Sequence, residues 1–168
     1  MPVPSPPSRM KRARSLPGQT FTMTRFFLDT NVILYTRDLK AQAKREQASA
    51  WLRMLVARRL AVINVQVISE YCHVALRKMS HLTESDVRAD AEALQEFCAA
   101  LPLPETVPAA WAIRAARRYS WFDCMLLASA ESLDCSHFLS EDLHHGDAIG
   151  DMRIINPFLV SPNDLLAG

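Results

Sequence analysis

The chain has 168 residues, 49% of them apolar, with 19 basic and 18 acidic side chains and a formal net charge of +1. That length suits one domain with some to spare, and the apolar share is enough to bury a core. The near-neutral balance neither demands nor excludes a nucleic-acid partner, so the distribution of cations has to decide. No apolar run approaches the roughly 20 residues of a membrane span. The N-terminus is basic without the apolar centre of a secretory signal, which leads us to expect a cytoplasmic protein.

Residues 1–22 stand apart. Pro2, Pro4, Pro6, Pro7 and Pro17 fall there, with Arg9, Lys11, Arg12 and Arg14. This composition cannot bury a core. The segment reads either as a flexible tail that touches nucleic acid or as sequence upstream of the true start. The second is favoured, because Met23 directly precedes the first predicted strand. Residues 23–162 then form the domain, and 163–168 a C-terminal tail.

Arg25-Phe26-Phe27-Leu28 reads as a short buried strand ending at Asp29. A helix follows from Asn31 to Thr36, and another over residues 42–59 with Ala48, Trp51, Leu52 and Leu55 on one face. Leu60 to Val65 is the second strand, and Val67 to Met79 a helix. Thr83-Glu84-Ser85-Asp86 resembles a capping box with Asp in place of Glu. It opens a helix whose inner face is Val87, Ala91, Leu94, Cys98 and Leu101, ended by Pro102 and Pro104. Leu103 to Val107 reads as a short strand. Pro108 suits the first position of a helix running to Tyr119. Trp121 to Leu133 is a further helix, and Ser136–Ser140 and Met152–Ile155 are the last strands. The four cysteines, Cys72, Cys98, Cys124 and Cys135, lie in apolar stretches without CxxC spacing and read as buried free thiols of a reducing compartment.

Alternating strands and helices imply a parallel sheet covered on both faces, with a ligand site beyond the carboxyl ends of the strands. Acidic residues stand at that edge. Asp29 follows the first strand, Glu70 lies in the helix after the second, and Asp142 follows Phe138-Leu139-Ser140-Glu141. Asp123 begins an apolar helix. Taken singly, Asp29 and Asp123 suit helix caps, Glu70 a solvated helix position and Asp142 a turn. Together they suit a divalent ion, because Mg²⁺ and Mn²⁺ prefer oxygen ligands and promote phosphodiester hydrolysis. There is no Ser-His-Asp set and no glycine-rich phosphate loop.

Phe27-Leu28-Asp29-Thr30-Asn31-Val32 resembles the opening motif of PIN domains, the nuclease domain of VapC-type toxins. Ile68-Ser69-Glu70, Trp121-Phe122-Asp123-Cys124-Met125-Leu126-Leu127-Ala128 and Leu139-Ser140-Glu141-Asp142-Leu143 resemble the later acidic motifs, in order. Ile154-Ile155-Asn156-Pro157-Phe158 resembles the closing strand. The resemblance covers residues 24–160. It implies a three-layer α/β/α fold around a central parallel sheet of four to five strands. It also implies a metal-dependent endoribonuclease, the toxin of a type II toxin–antitoxin pair, with Mg²⁺ or Mn²⁺ as cofactor. RNA is then the substrate, an antitoxin the protein partner, and a homodimer the expected assembly. Asp29, Glu70, Asp123 and Asp142 match the metal-binding, catalytic acids. Thr30, Asn31 and Ser140 match supporting positions. Asp147 matches no fixed acid; it reads either as an extra residue supporting the metal ligands or as a surface residue, with the surface favoured.

Cations that can guide RNA toward these acids are Arg37, Lys40, Arg77, Lys78, Arg117 and Arg118. Trp121 is expected to pack at the head of its helix, with stacking on a base as the other role. A dehalogenase-like phosphatase would need an acid where Asn31 stands. A receiver domain would need a late lysine, and none follows Lys78. A catalytically silent PIN-like module that binds RNA or protein is the alternative from a different class, opposed by the presence of all four acids.

Overall fold

A computed structural model of the chain describes residues 24–99 and 104–166. The proline-rich segment 1–22 and Leu101 lie outside the described residues. The elements run β1 (Phe26–Leu28), α1 (Thr30–Tyr35), α2 (Gln42–Ala57), β2 (Ala61–Val62), α3 (Val65–Lys78), α4 (Glu84–Leu94), α5 (Thr106–Arg117), α6 (Trp121–Ser132), β3 (His137–Leu139), β4 (Ala148–Ile149), β5 (Met152–Ile155) and α7 (Pro162–Leu166). The sheet order is β2-β1-β3-β5-β4. Every pairing is parallel except the β4–β5 hairpin. The sheet therefore has five strands, within the expected four to five, with β4 antiparallel.

Neighbouring strand residues point to opposite faces. Phe26, Phe27 and Leu28 are all 0% exposed, so both faces of β1 are covered, as three α/β/α layers require. Phe27 stacks on Phe138 of β3 with ring centroids 5.3 Å apart, and Phe26 stacks on His137 at 4.6 Å. Trp51 of α2 is fully buried, and its indole N–H donates to the carbonyl of Pro157 at 3.0 Å.

Helix starts follow the capping residues in the sequence. Asn64 caps α3 by accepting from the Val67 amide. Thr83 and Asp86 form the expected reciprocal box at α4, and Ser120 and Asp123 form another at α6.

Three sequence expectations are corrected. The helix opened at Glu84 ends at Leu94 and continues only as a 3₁₀ turn, Gln95–Phe97. Cys98 is instead extended and forms a parallel bridge with Ile63, beyond β2. That long-range pairing overrides the helical run of alanines and leucines. The strand expected over Leu103–Val107 is also absent at its described end, because Thr106 and Val107 open α5. Pro108 is consequently the third residue of α5, still within the first turn, where its missing N–H costs nothing. The hairpin strand β4 was unexpected. It turns at Gly150, whose φ of +57° lies in the left-handed region and whose absent Cβ would sit 2.5 Å from Glu131 Oε1.

The chain passes from β1 outward to β2 and returns on the other side with β3. The topological switch point thus lies between the carboxyl ends of β1 and β3. Asp29 ends β1 there and Ser140 ends β3, with the Asp29 amide donating to the Leu139 carbonyl at 3.0 Å.

Candidate active site

Asp29 is the N-cap of α1, and its Oδ1 accepts from the Thr30 amide at 2.7 Å. Its other oxygen accepts from the Ser140 hydroxyl at 2.6 Å and from Asn31 Nδ2 at 3.0 Å. The capping role and a place in the acid group are therefore compatible. The carboxyl is 6% exposed. Burial pushes it up to about 7, helped by the charges of Asp123 and Glu70 and opposed by the hydrogen bonds from Ser140 and Thr30.

The other acids surround this buried one with more exposure to water. Glu70 is held by the Thr30 hydroxyl, which donates to its Oε2 at 2.8 Å. Asn31 Nδ2 lies 3.0 Å from Asp142 Oδ2 and 3.2 Å from Ser140 Oγ, so one amide links Asp29, Ser140 and Asp142. Ser140 Oγ in turn accepts from the Asp142 amide at 3.2 Å. Asp123 is held by its capping box, its carboxylate accepting from the Ser120 amide at 3.2 Å. Four elements, β1, α3, α6 and the loop after β3, thus bring Asp29, Glu70, Asp123 and Asp142 to one rim. Thr30, Asn31 and Ser140 supply the hydrogen bonds that join Asp29 to Glu70 and Asp142, while Asp123 acts on Asp29 through its charge.

Among the described residues, no group of three or more His, Cys, Asp or Glu side chains is arranged so that it could hold a metal ion. A zinc-type site does not fit. Mg²⁺ keeps several waters and takes only one or two carboxylates directly, so it asks for no such group. The buried Asp29 carboxyl, driven upward by desolvation and by like charges, has the electrostatic deficit that such a cation relieves.

The sequence of residues 26–148 matches the family model described as PIN domain. The chain belongs to the PIN domain family. Its fold is similar to that in a toxin–antitoxin complex from Klebsiella pneumoniae, with 17% identity, 80% of this chain and 98% of that one covered, and a TM-score of 0.57. It is also similar to that of VapBC2 from Rickettsia felis bound to a DNA fragment from their promoter, with 9% identity, coverages of 78% and 97%, and a TM-score of 0.54. At these identities the likeness is one of fold. No curated protein sequence matches the chain.

The cations around this PIN domain divide into occupied and available ones. Arg37 is taken: its Nε donates to Asp90 Oδ2 at 2.9 Å, and the Tyr71 hydroxyl donates to the same oxygen. That cluster ties α1 to α3 and α4. Lys40 and Lys78, by contrast, line a groove of about 560 Å³ that begins at Asn31 and Asp142. Arg117 donates to the Ala148 carbonyl at 3.0 Å. Arg118 is exposed, with a left-handed φ of +60°.

Sequence reasoning did not see the role of Glu141. Burial alone would raise its carboxyl, but hydrogen bonds from Lys44 and Tyr35 hold it below its ordinary value. Lys44 pairs with it and sits over the Tyr35 ring. The acid beside Asp142 is thereby neutralised. Asp147 is half-buried, not a free surface acid: it accepts from the Tyr119 hydroxyl at 2.8 Å, just ahead of α6. Trp121 packs against the core as expected, and the exposed ring at this turn is Phe122. Among the described residues no helix is long and apolar enough to cross a membrane.

Proposed function

We propose that the chain is a Mg²⁺- or Mn²⁺-dependent endoribonuclease, the toxin of a type II toxin–antitoxin pair. The reading is carried by one observation: a desolvated carboxyl at a topological switch point, Asp29, lies in the field of Glu70 and Asp123 and is linked through Asn31 to Asp142. In this reading the four acids hold the ion together with its waters. Bound there, the divalent ion supplies Lewis acidity to a phosphate oxygen and makes hydroxide accessible at neutral pH.

The protein's own residues do the positioning. Ser140 and the Thr30 amide fix both oxygens of Asp29, so its orientation does not depend on cation binding. Thr30 aims Glu70 toward the rim from α3, and Asn31 holds Asp142 in reach of the same place. Lys40 and Lys78 attract the RNA backbone along the adjoining groove. Membership of the PIN family supports nuclease chemistry. The similarity to proteins solved as toxin–antitoxin complexes supports an antitoxin partner. A homodimer is part of the same proposal.

The test is cleavage of end-labelled RNA by the purified chain in Mg²⁺, Mn²⁺ and EDTA, with Asp29→Asn alongside. Cutting that needs a divalent ion and disappears in the variant supports the reading. RNA binding without cutting under every condition would support the silent module.

A further inference from the structure

We propose that Trp111 of α5 and Phe122 of α6 form a stacking platform on which bases of single-stranded RNA lie as the strand enters the acid site. The proposal rests on the ribonuclease reading and adds to it the side chains that hold the bases. Trp111 is 59% exposed and Phe122 is 66% exposed, a large apolar area to leave in water. Trp111 is not loose. Its ring packs on Trp121, with centroids 4.7 Å apart and planes at 42°, so it is oriented before any ligand arrives. A ring ordered in advance loses little entropy when a base stacks on it.

The platform adjoins the chemistry. Phe122 directly precedes Asp123, and its carbonyl accepts from Gln66 of α3 at 3.3 Å. That contact fixes the turn against the helix that carries Glu70. Charge complements the rings. Trp111, Arg114 and Arg118 fall at helical positions i, i+3 and i+7, on one face of α5 and its cap. The Arg114 guanidinium donates to the Tyr119 carbonyl, beside the start of α6. No acidic residue occurs from Thr106 to Arg118. Cations flanking aromatic rings suit a phosphate backbone with exposed bases.

A second copy of the chain is a poorer occupant. A two-fold interface through this face would bring the same arginine-bearing helix against itself without an acid on it to answer.

Binding of a short fluorescent single-stranded RNA, followed by anisotropy at low salt in the Asp29→Asn background, tests the platform. Trp111→Ala and Phe122→Ala should each weaken binding roughly tenfold. Trp111→Phe should retain most of the affinity, and binding of duplex RNA should be unmoved. Circular dichroism and sedimentation mass should match the parent. Unchanged single-strand affinity, equal losses with duplex, or a change in mass on ring removal would each overturn the proposal, the last by assigning the face to contact between copies. The two readings fail separately. Ring-dependent binding by a wild-type chain that cuts nothing refutes only the nuclease. Efficient cutting with ring-independent binding refutes only the platform.

Discussion

Replacing Asp29 with Asn should stabilise the metal-free protein at alkaline pH while abolishing activity. Its carboxyl moves from 3.8 in the unfolded chain to about 7 in the fold, a difference of about three units. Each unit is worth about 1.36 kcal/mol, so holding the ionised form in place costs about 4 kcal/mol. The sign follows from proton binding. Between those two values the folded state holds a proton that the unfolded state has released. Stability from this group is therefore complete below about pH 4 and is lost as pH rises to about 7. Asn carries no charge and escapes that loss. It does place an amide group opposite Asn31, at a cost of about 1 kcal/mol for one hydrogen bond. The net gain is about 3 kcal/mol at pH 8, or roughly 6–12 °C in melting temperature for a chain of this size. At pH 4 the variant should be slightly less stable than wild type. Thermal denaturation in EDTA at both pH values measures this directly. A variant that melts below wild type at pH 8 would show that Asp29 is not a strained anion, and the electrostatic account of the site would fall with it.

Removing the linking amide with Asn31→Ala should weaken Mn²⁺ binding and cleavage by about 10- to 100-fold, the usual cost of losing a group that orients a metal ligand; calorimetric titration and an RNA cleavage assay report the two losses. Asp90→Ala strands the Arg37 guanidinium and the Tyr71 hydroxyl at the α1–α3–α4 contact. It should destabilise by about 1–3 kcal/mol in urea unfolding and leave cleavage per folded molecule unchanged. A chain starting at Met23 should melt within a degree or so of the full chain, because residues 1–22 carry too few apolar side chains to add to the core; calorimetry of the two forms decides.

Much of the site was legible because local chemistry and topology agree. Asp29 and Asp123 stand where a strand or turn hands over to a helix, positions that a parallel sheet collects on one edge. The misreadings are of a different kind. Cys98 follows a strongly helical stretch, and only its pairing with Ile63, far away in sequence, makes it extended. Periodicity carries no information about such a partner. The β4 strand has two residues, too few for alternation to show, although Gly150-Asp151 between Ile149 and Met152 was a usable hairpin signal. Arg37 illustrates a third limit. As a sequence position it resembles any solvated cation, and its occupation by Asp90 emerges only when α4 folds back on α1. The linking role of Asn31 is likewise visible only with Ser140 and Asp142 in place, more than a hundred residues onward.

The central claim is that Asp29, Glu70, Asp123 and Asp142 serve one shared divalent-ion site. Calorimetric titration of Mn²⁺ into wild type and into Asp29→Asn, Glu70→Gln, Asp123→Asn and Asp142→Asn, at fixed pH and salt, addresses it most directly. One shared site predicts that each substitution weakens the same binding event, and that saturating wild type at a hundred times its dissociation constant adds about 2.7 kcal/mol to its stability. Wild type that takes up no Mn²⁺ at millimolar concentration, or variants that bind it as wild type does, would contradict the claim.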